Sequence, residues 1–178
     1  MFQKMAHFYF SIMRILFGMS LMLFCVSAHA KYSETDLKAV YLYRFALLAE
    51  WHQTQYPPHQ IYYCATQASP VTEQLARLVA AKKDRAHFHL LTDQSVPNCQ
   101  LIYVDPAAKA ELDTLKQHYP NALLVGNGRS FIKMGGMISL IKVNNRIKPL
   151  ISIKNIEATG VKIRAQLLSI AELASEAQ

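Results

Sequence analysis

The stretch Ile61–Leu91, IYYCATQASPVTEQLARLVAAKKDRAHFHLL, decides the fold. Its first residues are apolar, β-branched and aromatic, and they read as a buried strand over 60–65. Ser69-Pro70 then supplies an N-cap followed by proline at the first helical position, which predicts a helix to about residue 82. The run AHFHLL, 86–91, reads as a second strand. The same alternation continues downstream. CQLIYV (99–104) is a short apolar strand, Asp105-Pro106 starts a helix to about His118, and NALLVG (121–126) is another strand. Strands separated by ten-to-thirteen-residue helices argue a mostly parallel sheet in a layered α/β domain.

The flanks of this unit read differently. Upstream, SETDLKAVYLYRFALLAEW (33–51) carries a capping box at Ser33 and Asp36. Leu37, Val40, Tyr41, Arg44, Phe45, Leu48 and Trp51 then follow helical spacing. Leu42, Leu47 and Ala49 widen the apolar stripe, so this helix is expected to be covered on more than one side, by the core or by another chain. YPP at 56–58 ends the segment. Downstream, after a helical turn near 129–133, MISLIKV (137–143) and RIKPLIS (146–152) flank Asn144-Asn145. Asparagine tolerates positive φ, so these residues predict a β-hairpin. Pro149 cannot donate to a ladder, which predicts that the second strand lies at a sheet edge. Two closing helices are expected, 153–158 capped by Ser152 and 161–175 with Ile163, Leu167, Ile170 and Leu173 or Ala174 as its stripe. The expected architecture is an α/β layered sandwich with a mostly parallel sheet, a C-terminal β-hairpin and closing helices.

The first thirty residues bear on compartment. Lys4 and Arg14 precede the apolar run Ile15–Val26, and SAHA puts Ala28 and Ala30 where a signal peptidase reads small residues. That order predicts export, with cleavage between Ala30 and Lys31 and a single domain over 31–178. The run is well short of the roughly 20 residues needed to span a bilayer. Phe24 before Cys25 argues against lipidation. Of 19 basic residues, Lys4 and Arg14 leave with the leader, so 17 remain against 12 acidic ones, a charge of +5. These charges are scattered, which makes nucleic acid a poor partner. Export leaves two cysteines, Cys64 and Cys99, in an oxidising compartment, where an even pair is most economically a disulfide. A reactive thiol would need a nearby cation and partial exposure. Cys64 sits in an apolar strand without such a neighbour in sequence.

Catalytic signals are weak throughout. His87 and His89 share one strand face, a beginning for a metal site, but no Cys or Glu/His cluster completes it. VGNGRSF (125–131) resembles the start of a dinucleotide loop, yet Phe131 stands at the third glycine position, so a tight turn is the simpler reading. No nucleophile elbow, H-E-x-x-H or Walker loop occurs, and no cofactor is implied.

KAVYLYRFALLAEW (38–51) resembles the opening helix of the YfiR-like periplasmic proteins, which typically read K-A-x-Y-L-x-x-F-x-x-x-x-x-W. The Cys64 strand, CQLIYV, GGMISL (135–140) and GVKIRAQLLSIA (160–171) match that family's later blocks in order. RIKPLIS departs from the family's R-I-x-F-x-I-N, with Pro149 for an aromatic and Ser152 for Asn, and GNGRSFIKM matches loosely. The resemblance implies a periplasmic regulator without chemistry of its own. It would bind the periplasmic part of a membrane diguanylate cyclase and lower cyclic-di-GMP output and biofilm formation, and an outer-membrane lipoprotein could sequester it. Tyr41, Tyr43 and Trp51 of the opening helix are the candidate interaction surface, in a chain expected to form a homodimer. The competing expectation is a periplasmic small-ligand module, whose cleft at the strand C-termini would use Gln67, Asp105 and Arg129.

Overall fold

A computed structural model describes residues 33–51, 60–82, 84–92 and 98–175. The expected leader, its cleavage point at Ala30 and Lys31, and the YPP terminator lie outside the described residues. Helix α1, Glu34–Leu47, is opened by the capping box expected for it: Ser33 Oγ accepts from the Asp36 N–H at 3.0 Å, and the Asp36 carboxylate accepts from the Ser33 N–H at 3.4 Å. It buries Ala39, Leu42, Phe45 and Ala46. The helix stops short of Trp51, because the Leu48 N–H closes it onto the Arg44 and Phe45 carbonyls and the chain extends into β1, Ala49–Glu50. β1 pairs antiparallel with β8, Lys162–Ile163, and the Arg164 N–H donates to the Leu48 carbonyl at 2.9 Å. Helical spacing cannot register a strand partner so far away in sequence.

Among the described residues the main sheet has seven strands, ending in β7 (Arg146–Ile151) and β9 (Glu172–Leu173), in the order β3-β2-β4-β5-β6-β7-β9. β2 (Ile61–Ala65), β3 (Ala86–Leu90), β4 (Leu101–Tyr103), β5 (Leu123–Asn127) and β6 (Ile138–Val143) run parallel to one another. α2, Pro70–Ala80, crosses from β2 outward to β3, and α3, Lys109–His118, crosses from β4 to β5 in the opposite direction. Right-handed crossovers stepping opposite ways put the two helices on opposite faces, which gives the layers. α1 packs on α2 and covers β2, β4 and β7. The expected α/β class therefore stands.

Cys64 of β2 and Cys99, two residues ahead of β4, form a disulfide with Cα atoms 5.8 Å apart, and both are buried. Beside them Gln100 is buried but satisfied: its Oε1 accepts from the Tyr62 N–H at 2.6 Å and its Nε2 donates to the Gln60 carbonyl at 3.1 Å. Helix α4, Gly128–Lys133, seats Phe131 in the core between Gly126 and Gly136. A Cβ on either glycine would collide with the Phe131 ring, so these two positions serve close approach rather than turning. Gly135, at φ +98°, is the one that turns the chain toward β6.

The hairpin forms as expected. β6 and β7 (Arg146–Ile151) pair antiparallel around Asn144 and Asn145, at φ 48° and 59°. Two expectations fail here. β7 is not the sheet edge, because β9 (Glu172–Leu173) pairs beside it through Leu150↔Glu172 and Ile151↔Leu173. The Pro149 argument survives locally, since that ladder begins one residue after the proline. The expected helix 161–175 is also absent. In its place come β8, a one-turn helix α6 (Ala165–Leu168) and β9; only Leu167 of the expected stripe is fully buried, and Leu173 is 58% exposed. Helical preference is worth tenths of a kcal/mol per residue. It loses to main-chain partners at both ends, Leu48 for Arg164 and the Ile151 carbonyl for the Ala174 N–H. The shorter closing helix, α5 (Ile153–Glu157), is capped by Ser152, whose Oγ accepts from the Asn155 N–H at 3.3 Å.

Candidate functional site

The three aromatics proposed as a surface from the sequence are half-buried and engaged within the domain. The Tyr41 ring stacks on Phe45 at 5.7 Å and its hydroxyl donates to the Ile147 carbonyl of β7 at 3.3 Å. Tyr43 stacks nearly parallel on Tyr63 at 5.7 Å, and the Tyr63 hydroxyl donates back to the Tyr43 carbonyl at 2.9 Å. Burial, with Tyr43 alongside, pushes the Tyr63 phenol well above its ordinary value. Trp51 follows β1, and its Nε1–H donates to the Asn121 carbonyl at 3.1 Å. The excess apolar width of α1 is thus taken up by strands on either side. What α1 shows to solvent is Arg44, Leu47 and a charged first turn. Glu34 accepts from Lys38 and Lys142 there, and those two ammonium groups hold its carboxyl below the usual range.

His87 and His89 do share a face of β3, but they flank the Tyr62 ring at 5.0 and 6.1 Å rather than standing free in solvent. Burial, then the neighbouring His87, lowers the His89 imidazole below its usual value. Among the described residues no group of three or more His, Cys, Asp or Glu stands close enough to hold a metal.

The parallel sheet reverses its winding between β2 and β4, where α/β domains commonly bind ligands at the strand C-termini. Here Gln67 and Asp105 do meet: the Gln67 amide donates to the Asp105 carbonyl. Arg129 goes elsewhere, to Glu172 of β9 at 3.1 Å. Two residues the sequence reading passed over complete the cluster. Asn127 Nδ2 donates to the Tyr103 hydroxyl and to Asp105 Oδ2, each at 2.6 Å, and the Tyr103 hydroxyl reaches the same carboxylate at 3.1 Å. Burial, reinforced by the Asp105 charge, raises the Tyr103 phenol. The signal for both residues was their place at strand ends, where side chains turn from core to loop. The group is mostly spent on itself, tying three strand ends together, with Asn127 Oδ1 a buried acceptor that has no partner among the described residues. No general base is poised beside a nucleophile in it.

Residues 35–172 match the family model described as YfiR/HmsC-like, a span running from the first turn of α1 into β9. No curated protein matches the chain.

Proposed function

The chain belongs to the YfiR/HmsC-like family, whose members are periplasmic regulators of diguanylate cyclases, and from that premise we propose that it binds the periplasmic sensor portion of an inner-membrane diguanylate cyclase and represses it. Lower cyclic-di-GMP and less biofilm follow from that action. The observation that carries the reading is the extent of the family match, which takes in all but the ends of the described domain. A regulator that works by binding needs a stable, stapled scaffold and accessible surface, and the Cys64–Cys99 bridge supplies the staple.

Export with cleavage after Ala30 is part of the same proposal, and N-terminal sequencing of the protein released by osmotic shock should begin at Lys31. The decisive experiment measures cyclic-di-GMP in a deletion strain. Loss of the gene should raise it, and the 31–178 domain supplied in the periplasm should restore the low level. An unchanged level under several envelope stresses would overturn the reading. Sequestration by an outer-membrane lipoprotein and self-association into a homodimer are further parts of the proposal, read by co-purification and by light scattering of the same domain.

A second reading, a small-ligand sensing module, is favoured by one feature: Asn127 Oδ1, buried beside the sheet's switch point without a partner among the described residues. A ligand donor at that oxygen would raise the melting temperature of the wild type and not of Asn127→Ala.

A further inference from the structure

An open cleft of about 600 Å³ lies where α4, the start of α5 and β9 come together. Its floor is apolar and well packed, with Leu150 buried and Ile132 half-buried. Its rim carries Arg129, Lys133 and Lys154, all exposed. The carboxylate that meets this rim is Glu172, and it is divided between Arg129 at 3.1 Å and Lys148 at 4.0 Å. Among the described residues, four cations (Arg129, Lys133, Lys148 and Lys154) against one anion leave an excess of three positive charges on one small patch. Among the described residues neither Lys133 nor Lys154 has a carboxylate partner. Two aliphatic side chains flank these cations unusually openly for a strand and a helix start: Leu173 is 58% exposed and Ile153 is 39% exposed. Among the described residues the sheet also ends here, because β9 pairs with β7 on one side only.

We propose that this cleft docks an acidic, extended segment of the protein partner, laid against the free side of β9. The inference rests on the regulatory reading above and names the surface for it. The charge excess selects carboxylates, and Leu173 with Ile153 selects apolar side chains between them. An open strand edge offers main-chain groups to an added strand, a recurring mode of peptide capture. A compact small molecule would want most of its surface enclosed, which a cleft open along one side does not supply. The departure at Pro149 does not obstruct the edge, since Pro149 lies on β7, which occupies the paired side of β9.

The test uses the 31–178 chain, its Lys133→Glu/Lys154→Glu variant, and Lys109→Glu as a charge control on α3, outside the residues that line the cleft. Two probes are titrated: the purified periplasmic segment of each membrane diguanylate cyclase of the same cell, and a labelled synthetic peptide of alternating Asp and Leu. All three substituted side chains are exposed, so circular dichroism and melting should match wild type. The expected result is that the double variant weakens both probes about tenfold or more, that added salt weakens wild-type binding, and that Lys109→Glu changes neither. Equal affinity of wild type and double variant for a captured cyclase segment overturns the cleft while leaving the regulatory reading in force. Peptide binding through Lys133 and Lys154 without capture of any cyclase segment supports the cleft and sinks the regulatory reading. A dimer that the double variant dissociates would mean that a second copy fills the cleft, and it overturns the proposal.

Discussion

Phe131 is held between two glycines, and that arrangement makes a sharp quantitative prediction. Alanine at Gly126 would put a Cβ within 2.8 Å of the ring Cγ, and its three nearest neighbours are all Phe131 side-chain atoms. Alanine at Gly136 overlaps the same ring but also stands 2.7 Å from the Phe131 main-chain oxygen. Overpacking a buried site costs about 1–3 kcal/mol, and a fully buried ring in a packed core cannot swing aside cheaply. Gly126→Ala should therefore cost about 3 kcal/mol, the upper end. Phe131→Ala alone should cost about 3–5 kcal/mol through the cavity it leaves. The double variant Gly126→Ala/Phe131→Ala should fall short of the sum by about 2–3 kcal/mol, because the new methyl occupies space the ring has vacated. Gly136→Ala/Phe131→Ala should recover less, since the carbonyl clash persists whatever residue stands at 131. Equilibrium urea unfolding of the five single and double variants, with constant m, measures both couplings. Equal recovery at the two glycines, or a Gly126→Ala cost below about 1 kcal/mol, would refute the clamp. A second readout follows from position: Arg129 and Lys133 ride on the same helix, so Gly126→Ala should also weaken capture of an acidic partner.

The other predictions concern the staple, the tryptophan and pH. Bridging residues 35 apart removes chain entropy worth about 4 kcal/mol, so Cys64→Ala/Cys99→Ala should lose about that much; an unchanged urea midpoint would show that the bridge contributes nothing. Trp51→Phe keeps most of the packing but leaves the Asn121 carbonyl without the indole donor, for a loss of about 1 kcal/mol by the same assay. His89 binds its proton less readily folded than unfolded, so stability should fall as pH drops from about 7 through the unfolded value near 6.5 and level off below the folded one. Glu34, whose folded value is depressed, contributes stability above the unfolded carboxylate range and loses it as pH falls through the folded value, extending the decline to lower pH. His89→Gln should flatten the melting-temperature slope between pH 7 and 5.5, and identical slopes would exclude the imidazole as its source.

How far the fold could be read in advance depended on whether the deciding partner was local. Ser33 with Asp36, Ser69 with Pro70, and the Asn144-Asn145 turn each carry their own stabilising chemistry within a few residues, and each forms as read. The alternation of buried strands and helices is likewise a local record of a parallel sheet. The failures cluster where a backbone far away in sequence made the decision: Ala49–Glu50 leaves α1 for Lys162–Ile163, and the closing segment gives up its helix for β1 and β7. The candidate site was legible only in part for a related reason. Gln67 and Asp105 were named from their strand ends, but Tyr103 and Asn127 looked like core and turn, and Arg129 found its partner on a strand that the sequence pattern did not anticipate.

The same distinction bears on where a regulator of this build can meet its partner. To use Tyr41, Tyr43 or Trp51 as anchors, a partner must draw rings away from Phe45, Tyr63 and β7. It must also break the hydrogen bonds of the Tyr41 hydroxyl and the Trp51 indole to main-chain carbonyls. Each broken bond costs about 1 kcal/mol net, and each half-buried ring drawn out costs a share of the about 1.5–3 kcal/mol that full burial is worth. Those losses must be offset before any affinity appears. The cleft beside β9 carries no such cost, because Ile153 and Leu173 already face solvent and, among the described residues, Lys133 and Lys154 have no carboxylate to release. A partner that leaves the domain folded as it is therefore gains more from the β9 side than from the aromatics of α1. Leu47 and Arg44 remain as the part of α1 that can join an interface without unpacking anything.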